Sequence, residues 1–183
     1  MRLFVAVAVA PGVRAGLTEL PARLPDHALR WIPPQNLHLT LKFLGEVSEA
    51  RLARVVEAAR DAAEGFAPFT IGLQGVGAFP SRRHAQVVWV GVREGAERLV
   101  ELAGALETAL ARRRFAREKR PFRPHLTVGR VRGQHGQVDM SDALAGMSDT
   151  EFGRQRVAAL KIMESRLHPS GAVYGVIEEI PLG

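Results

Sequence analysis

A short strand pattern that occurs twice constrains the fold of this chain more than any other feature. Residues 36–44 read NLHLTLKFL, and residues 123–131 read RPHLTVGRV. Each copy places His-Leu-Thr inside a short run of alternating apolar and polar residues, a pattern that predicts a half-buried β-strand. We therefore expect two related halves, each built around a strand of this kind.

Strict alternation of side chains assigns the residues of each copy to two faces. In the first copy one face is apolar and the other polar: Leu37, Leu39, Leu41 and Phe43 against His38, Thr40 and Lys42. In the second copy Leu126 and Val128 lie opposite His125 and Thr127. We expect the apolar faces to be buried and the two polar faces to line one groove.

Two histidines and two threonines in one groove are suited to chemistry at a phosphate. A histidine with the usual pKa of about 6.5 can donate or accept a proton near neutrality. Displacement at phosphorus needs a proton acceptor and a proton donor on opposite sides of the phosphate, while hydroxyls and a cation hold its other oxygens. A single His-x-Thr is usually only a half-exposed strand face, but two copies on matching strands favour a catalytic pair.

The remaining periodicity predicts alternating helices and strands. Helices are expected at 12–24, disturbed by Pro21, after Ser48 as N-cap, along the leucine stripe of 99–110, and briefly at 139–147. Strands are expected at 2–9, 69–73, 86–92, 159–167 and 172–180, with a turn at Pro169, Ser170 and Gly171. Hairpin-like strand pairs argue against a parallel sheet, so we predict an α+β fold in a single domain over residues 1–183.

Positive charge is concentrated in one part of the chain. The formal net charge is +6, and a basic cluster stands against one acidic residue, Glu118: Arg112, Arg113, Arg114, Arg117, Lys119, Arg120, Arg123, Arg130 and Arg132. Such a cluster suits a polyanion, although cations also favour the C-terminal end of a helix. The charge alone leaves both interpretations open.

Two absences limit the class of protein. The chain has no cysteine, which excludes disulfides, thiolate metal sites and cysteine nucleophiles. The opening MRLFVAVAVAPG is the one candidate export signal, but its apolar run ends at Pro11 and fits a buried strand better. We expect a cytoplasmic protein that does not enter the membrane, with a monomer as the default state.

Several stretches resemble a known family. They are the opening RLFVAV, RWIPPQNLHLTLKFLGEV, AFPSRR, VVWVGV, PFRPHLTVGRV and ESRLHPSGAVY. The paired His-x-Thr-x motifs and these stretches are similar to the two-histidine phosphoesterases, in the branch of RNA 2′,3′-cyclic phosphodiesterases, also called 2′-5′ RNA ligases. The resemblance covers nearly the whole chain.

The resemblance implies a fold and a reaction. The fold has two pseudo-symmetric lobes, each an antiparallel sheet with helices on its outer side, and an active groove between them. The reaction is hydrolysis of an RNA 2′,3′-cyclic phosphate end to a 2′-phosphate without a metal or other cofactor, with tRNA fragments as possible substrates. Reversible 2′-5′ RNA ligation is a further activity that the resemblance implies.

The resemblance also implies roles for individual residues. His38 corresponds to the acid on the leaving ribose oxygen and His125 to the base that activates water, with Thr40 and Thr127 as phosphate ligands. Arg130 corresponds to a phosphate contact, yet strict alternation would place it opposite His125. We therefore predict a β-bulge at Gly129, which would return Arg130 to the groove.

Other candidates are less well determined. Lys42 could add charge near the phosphate or lie on the surface. Phe79 could contact a base or pack in the core, and Arg82 or Arg83 could contact the RNA backbone. The other histidines, His27, His84, His135 and His168, are expected on the surface or in loops, and neither motif contains the Asp or Glu of a usual metal site.

Two rival functions share these features. A non-catalytic RNA-binding module could use the same basic groove. A phosphodiesterase for small cyclic nucleotides, or for nucleotide 1″,2″-cyclic phosphates, could use the same histidines; the basic cluster favours a longer RNA end.

Overall fold

The computed structural model describes residues 1–24, 29–133, 136–169 and 171–183, in which strands and helices follow one another along the chain. The strands are β1 (Arg2–Ala8), β2 (Leu29–Trp31), β3 (His38–Glu46), β4 (Phe69–Phe79), β5 (Val87–Val92), β6 (His125–Val131), β7 (Glu151–Val157), β8 (Ala159–His168) and β9 (Gly171–Pro181). The helices are α1 (Pro11–Thr18), α2 (Glu49–Glu64), α3 (Ala96–Arg112) and the single turn α4 (Ser141–Leu144).

These strands form two antiparallel sheets. In the described part of the chain, sheet A has the order β3-β1-β8-β9, and sheet B has the order β2-β6-β5-β4-β7. Each sheet contains one of the two His-Leu-Thr strands, β3 in sheet A and β6 in sheet B. The two-lobed α+β fold is therefore confirmed.

Alternation explains which face of each sheet is buried. In β1, Leu3, Val5 and Val7 join the hydrophobic core, whereas Phe4 lies on the opposite face beneath other aromatic rings. Both faces of β1 are covered, as predicted for a strand that is buried on both sides. Burial of a leucine or valine side chain contributes roughly 1.5–3 kcal/mol.

The two long helices contact each other and supply much of the remaining core. The predicted leucine stripe of α3 is fully buried: Leu99, Leu102, Leu106 and Leu110. The buried side chains of α2 are mostly small, and they are Val55, Ala58, Ala59, Ala62 and Ala63. It contacts β8, β9 and α3. None of the helices within the described ranges is long and apolar enough to cross a membrane.

A glutamine connects the two sheets. Gln155 on β7 of sheet B is only 8% exposed. Its Nε2 donates to the carbonyl of Ala8 at 2.8 Å, and its Oε1 accepts from the amide of Ala10 at 2.8 Å. Because Ala8 ends β1 of sheet A, this side chain replaces backbone hydrogen bonds at the point where the first strand leaves its sheet.

The predicted elements differ from the structure where glycine, proline or charge obscures the periodicity. Helix α1 ends at Thr18 rather than residue 24, and Pro21 lies in a separate 3₁₀ turn over Leu20–Arg23. The predicted helix over 139–147 is reduced to α4. Strand β4 continues to Phe79, beyond its predicted end, while the polar strand β7 and the short strand β2 were not predicted. Part of the predicted turn, Ser170, lies outside the described residues.

Candidate active site

The two motif histidines have the same local hydrogen bond. His38 Nδ1 lies 2.6 Å from the carbonyl oxygen of Asn36, and His125 Nδ1 lies 2.6 Å from the carbonyl oxygen of Arg123. Because a carbonyl oxygen only accepts, Nδ1 carries the proton in each ring. Nε2 is therefore the nitrogen left for proton transfer in both copies.

The strands that carry these histidines meet although they belong to different sheets. Strands β3 and β6 contact each other without sharing a hydrogen-bonded ladder. Thr40 and Thr127 lie on the same face of their strands as the histidines and are half-buried. Within the described ranges, neither threonine hydroxyl has a hydrogen-bond partner in the protein. Both hydroxyls are therefore available to a ligand.

Aromatic rings surround each imidazole in a related way. The ring centroid of His38 lies 4.7 Å from that of Phe4 and 5.1 Å from that of Tyr174, which meets it edge-on. The centroid of His125 lies 5.1 Å from that of Phe79, again edge-on, and 6.4 Å from that of Trp89. Phe79 is thus a half-buried neighbour of His125 on the groove face, and the interpretation as a core residue is wrong.

Burial changes the protonation of His38. Desolvation by its neighbours lowers the pKa of His38 below the usual value, and the hydrogen bond to the Asn36 carbonyl partly opposes this effect. A lowered pKa favours the neutral ring in the unliganded protein, because the cation loses its hydration.

A hydrogen bond to β9 also holds the residue that binds His38. Asn36 Nδ2 donates to the carbonyl of Ala172 on β9 at 2.8 Å.

A β-bulge follows the threonine in both copies. In β6 the register pairs Trp89 with Thr127 and Val88 with Gly129, so Val128 is an extra residue. The bulge predicted at Gly129 is confirmed, with the extra residue immediately before it. Arg130 consequently lies on the same face as Thr127 and is exposed.

The matching bulge in β3 removes Lys42 from the groove. The register pairs Ala6 with Thr40 and Val5 with Lys42, which leaves Leu41 as the extra residue. Lys42 is 8% exposed. Its Nζ lies 2.9 Å from Glu107 Oε2 and 3.0 Å from the carbonyl oxygen of Ala116. The prediction that Lys42 shares the face of His38 is wrong, because the bulge at Leu41 reverses the facing of Lys42 and Phe43.

The same reversal exposes Phe43, which strict alternation assigned to the buried face. Phe43 is 65% exposed. Its ring centroid lies 5.9 Å from that of Phe4, which in turn contacts His38. Phe43 and Arg130 therefore occupy equivalent positions of the two motifs, each five residues after its histidine.

The basic cluster separates into paired and exposed residues. Arg113, at the end of α3, binds Asp61 at 2.7 Å and Glu57 at 3.5 Å, so it stabilises the contact between α2 and α3. Four other members are exposed in the connection that leads to His125: Arg117, Lys119, Arg120 and Arg123. Arg113 thus has a structural role at the end of α3, and binding of a polyanion by the exposed members stays a prediction.

The remaining histidines lie outside the two motifs. His84 and His168 are exposed, as predicted, and His27 and His135 lie outside the described residues. Within those described ranges, no three His, Asp or Glu side chains are grouped so that they could hold a metal ion.

Comparison with known sequences reproduces the internal repeat. The model of the LigT-like phosphoesterase family matches residues 7–89 and again residues 90–174, and each match contains one His-Leu-Thr motif. A protein of Methanothermobacter thermautotrophicus named RNA 2′,3′-cyclic phosphodiesterase is 35% identical, with 97% of each chain covered. One of the same name from Archaeoglobus fulgidus is 39% identical, with 95% of this chain and 96% of the relative covered.

Solved structures with the same architecture cover the whole chain. A Thermus thermophilus protein superposes with a TM-score of 0.83 at 32% identity, covering 100% of this chain and 98% of its own. A crystal structure of E. coli LigT complexed with 3′-AMP superposes with a TM-score of 0.79 at 28% identity, covering 99% and 97%. The two-lobed arrangement is thus shared with experimentally determined structures.

Proposed function

The chain belongs to the LigT-like phosphoesterase family and is an RNA 2′,3′-cyclic phosphodiesterase, and we propose that His38 and His125 form its acid–base pair. The observation that carries this proposal is the match between the two motifs. In each motif the imidazole Nδ1 donates a hydrogen bond to the carbonyl oxygen two residues earlier. Each motif also has a threonine hydroxyl with no hydrogen-bond partner among the residues that the structure describes. The product we propose is an RNA 2′-phosphomonoester.

The proposed reaction conserves protons. His125 accepts a proton from water as the water oxygen bonds to phosphorus, and the bond between phosphorus and the ribose 3′ oxygen breaks. His38 donates a proton to that leaving oxygen, which yields a 3′ hydroxyl and a 2′-phosphate. A donor and an acceptor on opposite sides of the phosphate are what in-line displacement requires.

The other motif residues are proposed to hold the phosphate. The hydroxyls of Thr40 and Thr127 donate to the two non-bridging oxygens, where negative charge increases in the transition state. Arg130 adds a guanidinium on the same face, where it can form two parallel hydrogen bonds to a phosphate. Neither Lys42 nor a metal ion is needed in this arrangement.

The lowered pKa of His38 has to be reconciled with its role as the acid. In the unliganded protein burial favours the neutral ring, which has no proton to give at Nε2. An anionic phosphate beside the ring raises the pKa again, because an opposite charge stabilises the imidazolium. We propose that substrate binding itself completes the acid.

The pH dependence of a single-histidine variant assigns the two roles. In His125→Ala the residual kcat/KM depends on His38 alone, and it reports the free enzyme. If His38 is the acid, this rate falls as the pH rises through its pKa, below the usual value of about 6.5. A rate that instead falls as the pH decreases would assign His38 as the base.

Hydrolysis in the presence of a chelator tests the proposed function. The purified protein, with EDTA, is incubated with an oligoribonucleotide that ends in a 2′,3′-cyclic phosphate. We expect complete conversion to a 2′-phosphate end, identified by its resistance to a 3′-specific phosphatase, at the rate seen without EDTA. Loss of activity with EDTA and recovery with a divalent cation would contradict metal independence, and a 3′-phosphate product would contradict the assigned leaving group.

The same pair can act on a second nucleophile. If a ribose 5′ hydroxyl replaces water, the 3′ oxygen leaves as before and the product is a 2′-5′ linkage. We propose this ligation as a reversible side reaction, detected in the same assay by adding an RNA with a 5′ hydroxyl end. A single domain, a monomeric state, a cytoplasmic location and tRNA fragments as substrates stay predictions.

A further inference from the structure

Two arginines lie directly opposite each other in sheet B. The register of β2 against β6 pairs Arg30 with Arg130. Both side chains are exposed. Within the described ranges neither forms a hydrogen bond or an ion pair with another residue. Like charges directly opposite on neighbouring strands destabilise a sheet, so this pair lacks a stabilising role in the protein itself.

The position of Arg30 relates it to the proposed active site. Paired residues of an antiparallel ladder point to the same side, so Arg30 lies on the groove face with Arg130. Four ladder steps separate Arg130 from His125 because Val128 is bulged out. At about 3.3 Å per step the two Cα atoms are about 13 Å apart, and Arg30 lies one strand further out. Arg30 thus lies one strand to the side of Arg130, in position for the next phosphate of an RNA chain.

A third guanidinium lies at the same corner. Arg132, just beyond β6, donates from Nε to the carbonyl oxygen of Leu29 at 3.2 Å. This hydrogen bond fixes Arg132 against β2 and leaves its terminal nitrogens free, since it has no ion pair within the described ranges. Arg30, Arg130 and Arg132 together form what we call the corner cluster. Three exposed arginines at one corner suit a polyanion.

We infer that Arg30 and Arg132 of the corner cluster bind the RNA phosphate preceding the reacting end, beside the reacting phosphate that Arg130 holds, and that Arg30 thereby selects oligonucleotides over mononucleotides. This inference rests on the proposed function and adds the direction in which the RNA chain leaves the groove. The exposed cations before His125, among them Arg120, offer the opposite exit. We favour the corner cluster because Arg30 and Arg130 lie on paired strands and Arg132 is held by its hydrogen bond to Leu29, whereas Arg120 lies in a loop.

A comparison of two substrates tests the inference. Arg30→Ala should lower kcat/KM about three- to tenfold for an oligonucleotide ending in a 2′,3′-cyclic phosphate, and leave hydrolysis of cytidine 2′,3′-cyclic phosphate unchanged. Two matched controls remove the same charge elsewhere: Arg120→Ala at the opposite exit and Arg54→Ala on the exposed side of α2. An unchanged oligonucleotide rate in Arg30→Ala, or an equal loss for the mononucleotide, would overturn the inference.

A binding measurement separates this inference from the proposed function. Fluorescence anisotropy with an oligonucleotide that already ends in a 2′-phosphate requires no catalysis. We expect the slope of log affinity against log salt concentration to decrease in magnitude by about 0.7 in Arg30→Ala, the value for one phosphate contact of a single strand. A slope that changes with Arg120→Ala and not with Arg30→Ala would reverse the assigned direction. If the wild type binds this RNA and hydrolyses neither substrate, the proposed function fails and the binding result alone decides the inference.

Discussion

Replacement of His38 or His125 by alanine is expected to lower turnover of a cyclic-phosphate RNA by about 10²- to 10⁴-fold, the usual contribution of a positioned acid or base. Each variant removes one proton transfer and leaves the threonines and Arg130 to hold the phosphate. We therefore expect the loss in kcat, measured under single-turnover conditions, with the affinity for a 2′-phosphate product RNA nearly unchanged.

The double variant and a surface control make this prediction specific. Residues that act as a unit are not additive, so His38→Ala combined with His125→Ala should cost little more than the more damaging single change. His84→Ala, which removes an exposed histidine outside the two motifs, should retain full activity. Single variants that keep wild-type turnover while still folding would show that neither histidine transfers a proton in the reaction, and both predicted roles would be wrong.

Replacement of Lys42 by alanine is expected to destabilise the fold by about 3–5 kcal/mol, the cost of removing one partner from a buried ion pair. Lys42 is buried, whereas the side chain of Glu107 is 21% exposed, so a value near the lower end is expected. Glu107 Oε1 also accepts from the amide of Glu118 at 2.8 Å. The change should therefore loosen the connection that leads from α3 to His125. Urea denaturation at neutral pH measures the loss.

A second lysine provides the control for this stability effect. Lys161 binds Glu179 at 3.0 Å in a partly exposed pair, so Lys161→Ala should cost less than about 1 kcal/mol. Combining Lys42→Met with Glu107→Leu should recover much of the lost stability, because no buried charge is left unpaired. If Lys42→Ala is as stable as the wild type but slow on cyclic phosphate, Lys42 acts at the phosphate after all.

The strand period predicted the main part of the active site. Alternation alone places His38 with Thr40 and His125 with Thr127, because only one intervening residue separates each pair. The bulge before Arg130 was predicted because the implied role of Arg130 conflicted with strict alternation. The equal bulge in β3 raised no such conflict, so Lys42 and Phe43 were assigned to the wrong faces. Since the motif is repeated, the first bulge could have suggested the second.

Contacts between distant elements were beyond what local patterns could predict. Tyr174 meets His38 only because the β8–β9 hairpin pairs beside β1, and Arg30 meets Arg130 only through the register of a three-residue strand. The polar strand β7 lacks a clear apolar alternation because its register shifts at Phe152 and because one of its buried residues is the polar Gln155. The leucine stripe of α3, by contrast, has a helical spacing that is visible in the sequence itself, so its burial could be predicted.

The glutamine between the sheets has a consequence for how substrate is admitted. With Gln155 holding both Ala8 and Ala10, a hinge motion at this corner would break both hydrogen bonds of a buried amide side chain. The two lobes are therefore held together in the unliganded protein. The entropy of aligning the two histidine-bearing strands is lost during folding and not when RNA binds. We therefore expect the RNA end to bind a site that is already aligned, without a closing motion of the two lobes.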